Sequence, residues 1–357
     1  MEFLLSNIPP VRFSRRNTIS CFEDLMQKAE GIRIASGYIS ADALAELKKI
    51  VEVNKKKFLE LVIGMHGFEG FTRSQFDAAL YLDEYLRDNK IGGVRVVNAF
   101  KFHGKIYSFL KQQTAFAGIV GSSNLSSVLD NQNHYEADLF INEAGTVNEI
   151  NNFIIQLSQD ASVSLEGYDP KIIEGANTLL DEHEGVEKIP WDELEVVLRD
   201  KASVSFKIPI KGAEEAPHSN LNVFFGKGRE NRKGFVKPRH WYEVELIVSS
   251  NITSQPGYPK AGYPERESII TVYTDDGWKF KCKISGDYSK NFRSADDLKI
   301  LGRWIKGRLE NNGALKVGDQ VTAETLRRYG RDNFELIATS NPAVWILDFG
   351  RINGDQL

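Results

Sequence analysis

His103-Gly104-Lys105 sets an imidazole and an ammonium two residues apart. The run Phe102 to Leu110 reads as a strand, and alternation along a strand puts both side chains on one face. A second strand-like run, Ala115 to Val120, ends in Gly121-Ser122-Ser123-Asn124, where glycine permits a tight turn and small polar side chains can donate to an anion. Glu136 lies on the next predicted strand, Tyr135 to Ile141. Together these residue types suit phosphoryl transfer. A neutral imidazole at His103 attacks phosphorus, Lys105 holds the non-bridging oxygens, Asn124 and Ser122 add donors, and Glu136 orients the histidine and stabilises its cation. Such a scheme needs no cation, so neither a cofactor nor a metal site is expected.

The elements that must position these groups follow from hydrophobic periodicity. Strands are predicted at Ile32 to Ile39, Phe58 to Met65 and Val94 to Phe100, with helical patterns between them at Asp42 to Lys56 and Arg73 to Asn89. This βαβαβ alternation, followed by the three strands above and a helix from Val147 to Leu157, predicts an α/β domain. Its sheet is mixed, flanked by helices, with functional residues near strand ends. Beyond residue 200 the chain changes character, to short strands at Val204 to Ile210, Tyr242 to Val248, Ile269 to Tyr273, Trp278 to Ile284, Phe334 to Ala338 and Val344 to Asp348. Short strands with long connections predict a β-barrel or sandwich.

A length of 357 residues makes two domains the expectation, at about 100 to 200 residues each. The boundaries are set at 1–161, an acidic linker at 162–200, and 201–357. Residues 161–200 hold 11 acidic and 3 basic side chains, whereas 201–357 hold 19 acidic and 25 basic ones. Within the basic part Lys227, Arg229, Arg232, Lys233, Lys237 and Arg239 face only Glu230, an excess that attracts phosphate. The acidic stretch is a candidate internal competitor for a polyanion-binding cleft, or else a spacer. Apolar runs are far shorter than the roughly 20 residues that span a bilayer, and Cys21 and Cys282 lie far apart in no metal-like spacing. A bacterial cytoplasmic protein without a membrane partner is expected.

The His-x-Lys and Gly-Ser-x-Asn pair resembles the phospholipase D superfamily, over roughly residues 1 to 160. The superfamily also has an Asp five residues after the Lys, where this chain has Leu110. The shortened motif is similar to that of some bacterial nucleases of the superfamily, in which a later glutamate orients the histidine, a role that falls to Glu136. The resemblance implies two His-x-Lys motifs per active site. One chain supplies only His103, so a twofold homodimer through the N-terminal domain is implied, with one His103 as nucleophile, forming a phosphohistidine, and the other as general acid. His66 is read as structural in its glycine-rich loop, and His134 is assigned no role.

Leu301-Gly302-Arg303-Trp304 followed by Leu315-Lys316-Val317-Gly318-Asp319-Gln320-Val321 looks like the plant transcription-factor DNA-binding pseudobarrel. That family places two arms in the major groove. The matching segments are about 226–237, with Lys227, Arg229, Arg232, Lys233 and Lys237, and about 285–303, with Tyr288, Lys290, Asn291, Arg293 and Arg303. Arg and Asn suit reading of guanine and adenine edges, whereas Lys mainly contacts phosphate. The pairing of the two halves resembles restriction endonucleases of the BfiI and NgoAVII type. It implies a metal-independent, sequence-specific endonuclease of double-stranded DNA, and leaves room for an accessory ATPase or helicase and a cognate methyltransferase in the same system. The alternatives are a DNA-binding regulator with a degenerate nuclease fold and a lipid phosphodiesterase.

Overall fold

The computed structural model describes residues 1–14, 16–130, 134–181, 183–262 and 267–350. The chain forms two compact units, one of Met1–Gly175 with Gly228–Pro238, the other of Ala176–Lys227 with Arg239–Leu357.

In the first unit β1 (Glu2–Leu5) and α1 (Thr18–Lys28) precede β2 (Gly31–Ser36), α2 (Ala41–Val53), β3 (Phe58–Ile63), α3 (His66–Glu69), β4 (Phe71–Thr72), α4 (Arg73–Asp88) and β5 (Gly92–Val97). Then come β6 (Lys105–Lys111), β7 (Thr114–Gly121), α5 (Leu125–Leu129), β8 (Ala137–Ile141), α6 (Ala144–Ala161), β9 (Ser162–Ser164) and β10 (Ile172–Ile173). Eight strands form one sheet in the order β1-β8-β7-β6-β2-β3-β5-β9. The strands β2, β3 and β5 are parallel, as the βαβαβ alternation requires, and the other neighbours are antiparallel. Ser40 caps α2 by accepting from the Ala43 N–H, and Thr72 and Gln75 form a reciprocal capping box that starts α4. Alternation then splits the strand side chains between two faces. Ala35, Val62 and Val97 pack with Ile154, Leu157 and Ala161 of α6, while Ile32, Ile34, Leu59, Leu61, Val94 and Val96 are buried on the opposite face.

The second unit is β-rich. Its strands are β11 (Val186–Lys188), β12 (Lys201–Pro209), β15 (Leu246–Ile247), β16 (Glu267–Thr274), β17 (Trp278–Ser285), β18 (Asn291–Ser294), β19 (Asn333–Thr339) and β20 (Val344–Asp348). A hairpin of β13 (Arg229–Glu230) and β14 (Val236–Lys237) belongs to the first unit. The helices are α7 (Trp191–Arg199), α8 (Ser250–Thr253), α9 (Ile300–Asn311) and α10 (Ala323–Tyr329). The sheet runs β12-β19-β20-β16-β17-β18-β15 and curls into a half-barrel, with β16 and β20 parallel. Helix α9 lies against it, its Trp304 ring 6.4 Å from Phe280 and 6.0 Å from Phe349. Gly302 lets α9 also approach the backbone at Tyr242 closely, because a Cβ there would stand 1.8 Å from the Tyr242 carbonyl oxygen.

The acidic stretch is divided rather than free. Residues 162–164 close one edge of the first sheet as β9, and Glu166 pairs with Arg87 at 2.9 Å. In the second unit β11 pairs with β17, Glu187 meets Lys279 at 2.7 Å, and Glu195 binds Arg199 at 2.8 Å within α7. Glu182 lies outside the described residues. Among the described residues no helix is long and apolar enough to cross a membrane. Both cysteines are buried free thiols.

Candidate active site and nucleic-acid interface

The candidate catalytic residues converge at the end of the first sheet where the parallel strands finish. Ser36, last in β2, is opposite Lys105, first in β6, and Gly121, last in β7, is opposite Asp138 near the start of β8. His103 and Gly104 precede β6 rather than lying in it, and Glu136 stands one residue before β8. The end of a parallel strand carries unpaired backbone and a change of chain direction, which makes room for such a cluster.

Lys105 is buried while His103 is exposed. The Lys105 Nζ lies 3.0 Å from His103 Nε2 and donates to the His103 carbonyl at 2.9 Å. Burial lowers the Lys105 pKa, and the negative charge of Glu136 opposes that shift. Asn124 turns its Oδ1 toward the Tyr38 N–H at 3.3 Å and the Ser36 hydroxyl at 3.5 Å. Ser122 Oγ donates to Glu136 Oε2 at 2.5 Å, and Ser127 Oγ to Glu136 Oε1 at 2.8 Å. Within one chain, then, the Glu136 carboxylate meets two serines, and the ring of His103 meets Lys105 and Tyr38.

Ser123 points the other way. It is fully buried, its hydroxyl donates to Asp138 at 2.6 Å and its N–H to the same carboxylate at 3.1 Å, while Thr18 donates to Asp138 at 2.6 Å. The Tyr107 hydroxyl donates to the Ser123 carbonyl at 2.8 Å. The turn is thereby fixed from beneath, leaving Ser122 and Asn124 on its upper side. Leu110 is core at the far end of β6, about 16 Å along the strand from Lys105 at ~3.3 Å per residue.

His66 is buried, and both ring nitrogens are used locally. Nε2 accepts from the Ile39 N–H at 3.3 Å and Nδ1 lies 2.9 Å from the Gly70 carbonyl oxygen. Burial lowers its pKa and favours the neutral ring. Tyr38, Ser127 and Asp138 were not among the residues singled out from sequence. Of these only Tyr38 carried a signal in the sequence, since it lies near the carboxyl end of the predicted strand Ile32 to Ile39.

The residues expected to meet DNA separate into different environments. Lys227 and Arg232 are exposed, and Arg229 is exposed on β13. Lys233 pairs with Asp24 at 2.8 Å and Lys237 with Glu23 at 2.8 Å, both carboxylates on α1. Asn54, which caps α2, holds the backbone of Val236 with two hydrogen bonds, at 2.8 and 2.9 Å. In the second segment Tyr288 is 84% exposed at φ 60°, Lys290 is exposed, Asn291 begins β18, and Arg293 stands 3.9 Å from Glu245. Arg303 departs from expectation. It is buried on α9 with its guanidinium 6.0 Å from the centre of the Tyr242 ring, because that helix is buried from Ile300 through Leu309.

Residues 16–167, which include every candidate catalytic residue, match the NgoFVII restriction endonuclease N-terminal PLD domain, and residues 196–340, with every candidate DNA contact, match the NgoFVII C-terminal B3-like DNA-binding domain. Both halves of the chain belong to the NgoFVII restriction endonuclease family. The NgoFVII-type first unit is a phospholipase D-like nuclease domain and the second a B3-like domain whose partner is DNA. No curated protein matches the chain. Among solved structures it is similar to NucT from Helicobacter pylori, at 15% identity over 46% of this chain and 99% of that one, with a TM-score of 0.32. Nuc from Salmonella typhimurium, a phospholipase D family member, matches at 15% identity over 46% and 95%, also with a TM-score of 0.32. The phosphatidylserine synthase of Haemophilus influenzae Rd KW20 matches at 14% over 60% and 52%, with a TM-score of 0.30.

Proposed function

We propose that this NgoFVII-type protein is a metal-independent, sequence-specific endonuclease of double-stranded DNA, active as a homodimer in the bacterial cytoplasm. The observation that carries this reading is the contact of Lys105 with His103 beside Asn124 and the Ser122–Glu136 pair, at one sheet end of a PLD-type domain joined to a B3-like one. In the proposed reaction a His103 nitrogen forms a bond to phosphorus as the bond to the leaving oxygen breaks. The leaving oxygen takes a proton from the second copy of His103, and water then cleaves the phosphohistidine. Lys105 and Asn124 neutralise and orient the phosphoryl oxygens. Twofold pairing also brings a second Glu136 to the site, where the carboxylate can act on histidine across the interface.

Digestion of bacteriophage DNA in excess EDTA, with the fragment ends sequenced, tests the reading. Cleavage persists on chelation and the ends share a short motif, because the protein's side chains supply the nucleophile, the acid and the anion-binding groups. Loss of activity in EDTA with recovery in magnesium would overturn the mechanism.

Base reading is assigned to Arg232 and Arg293, with Lys227, Arg229, Lys233, Lys237, Tyr288, Lys290 and Asn291 contributing phosphate and groove contacts. Alanine at Arg232 or Arg293 lowers affinity unevenly across sequences, by about 1 to 3 kcal/mol at the base each one reads. Equal weakening on every sequence, in a binding assay at fixed salt, would assign them to phosphate instead.

A further inference from the structure

His103 is exposed ahead of β6, and the carboxylate expected to orient it is committed within the chain to Ser122 and Ser127. Its ring nevertheless has a fixed neighbour. The ring of Tyr38 stands edge-on to that of His103, with centroids 5.4 Å apart and planes at 78°. On another side the same ring meets buried His66, also edge-on, at 5.6 Å and 89°. The phenol is tethered, since Tyr38 Oη donates to Glu69 Oε2 at 2.9 Å.

The backbone of the same residue reaches another member of the site. The Tyr38 N–H faces Asn124 Oδ1 at 3.3 Å, and the Tyr38 carbonyl accepts from Ser36 Oγ at 2.8 Å. Gly37 brings the segment this close. Its N–H donates to the Gly104 carbonyl at 2.9 Å, and a Cβ at that position would stand 3.1 Å from the His103 Cα. His66 Nε2 accepts from the Ile39 N–H and so steadies the backbone just after Tyr38. One residue thus touches the proposed nucleophile with its ring and a proposed phosphate ligand with its main chain.

We propose that Tyr38 is the positioning residue for His103, its tethered ring holding the imidazole in the orientation from which it attacks phosphorus. This rests on the reading of His103 as the nucleophile. A reacting group displaced by about 1 Å loses up to about a hundredfold in rate. The orientation therefore resides in the aromatic ring, and the hydroxyl serves to keep that ring still.

The test uses the full-length protein and bacteriophage DNA in single-turnover cleavage at saturating enzyme. Tyr38→Leu lowers the cleavage rate about ten- to a hundredfold with the half-saturating enzyme concentration within about twofold of wild type, and Tyr38→Phe recovers most of that loss. The NMR resonances of isotopically labelled His103, assigned by their absence in His103→Ala, shift in Tyr38→Leu as the ring current is lost and stay nearly in place in Tyr38→Phe. Glu69→Gln, which should fold whether or not Tyr38→Leu does, slows wild type about threefold and has no further effect in Tyr38→Phe. A wild-type rate in Tyr38→Leu, an unmoved His103 resonance, or additive losses from Glu69→Gln and Tyr38→Phe would overturn the proposal. A His103→Ala protein that still cuts defeats the nucleophile reading, whereas an inactive His103→Ala beside a fully active Tyr38→Leu defeats the positioning role alone.

Discussion

Replacing His103 by alanine abolishes DNA cleavage, by about four orders of magnitude or more, and leaves specific DNA binding within about threefold of wild type. The size of the loss follows from the proposed chemistry. Without the imidazole nothing forms the bond to phosphorus, and in a twofold site the same change removes the general acid from the other half. The small effect on binding follows from where the residue stands. His103 is exposed ahead of β6, its side chain fills no part of the core, and the candidate DNA-reading groups belong to residues 227–237 and 288–293. Gel-shift and cleavage assays on one preparation measure both. A variant that cuts at the original rate would mean that the nucleophile is another group.

Arg308→Met destabilises the second unit by about 3 to 5 kcal/mol, the usual cost of stranding one partner of a buried ion pair. The Arg308 Nη1 lies 2.5 Å from Asp275 Oδ1 and 3.7 Å from Asp276 Oδ2, and its Nη2 donates to the Gly350 carbonyl. The guanidinium also lies 5.4 Å from the Trp304 ring centre and 5.6 Å from that of Phe349. The two aspartates raise the Arg308 pKa further, against burial, and keep it charged. Methionine keeps much of the apolar stem but leaves Asp275, 4% exposed, without its cation. All five tryptophans, Trp191, Trp241, Trp278, Trp304 and Trp345, belong to the second unit, so tryptophan fluorescence in urea follows its transition selectively. The expected result is a lower midpoint at unchanged slope. A loss below about 1 kcal/mol would show that the pair is dispensable.

What the sequence disclosed, and what it hid, has a physical pattern. Parallel strands β2, β3 and β5 are buried on both faces and stood out as apolar runs, and the helices between them kept one polar side. The chemistry of His103, Lys105, Ser122, Asn124 and Glu136 was legible because residue type and strand spacing are local. Asp138 was not, since it reaches the cluster only through the sheet's order, and Tyr38 showed only its place near a strand end. Helix α9 escaped periodicity because Ile300 through Leu309 are all buried, Arg303, Lys306 and Arg308 included, leaving no polar stripe. In α7 the acidic first turn of Asp192 and Glu193 is a helix-start signal, yet it lay within a stretch whose overall charge resembled a linker. The run Tyr242 to Val248 resembled a strand for a different reason. Only Leu246 and Ile247 join the ladder, while Trp241, Tyr242 and Val244 are buried by packing.

The eight-stranded sheet ends in two very short strands. β1 gives four residues against β8, and β9 gives three against Arg95–Val97 of β5. Neither belongs to the βα framework that carries the candidate site, yet each occupies hydrogen-bonding positions that would otherwise recruit a strand from another molecule. They act as hems. A fragment trimmed to the framework would carry two adhesive borders, so self-association is a hazard of cutting the first unit too close.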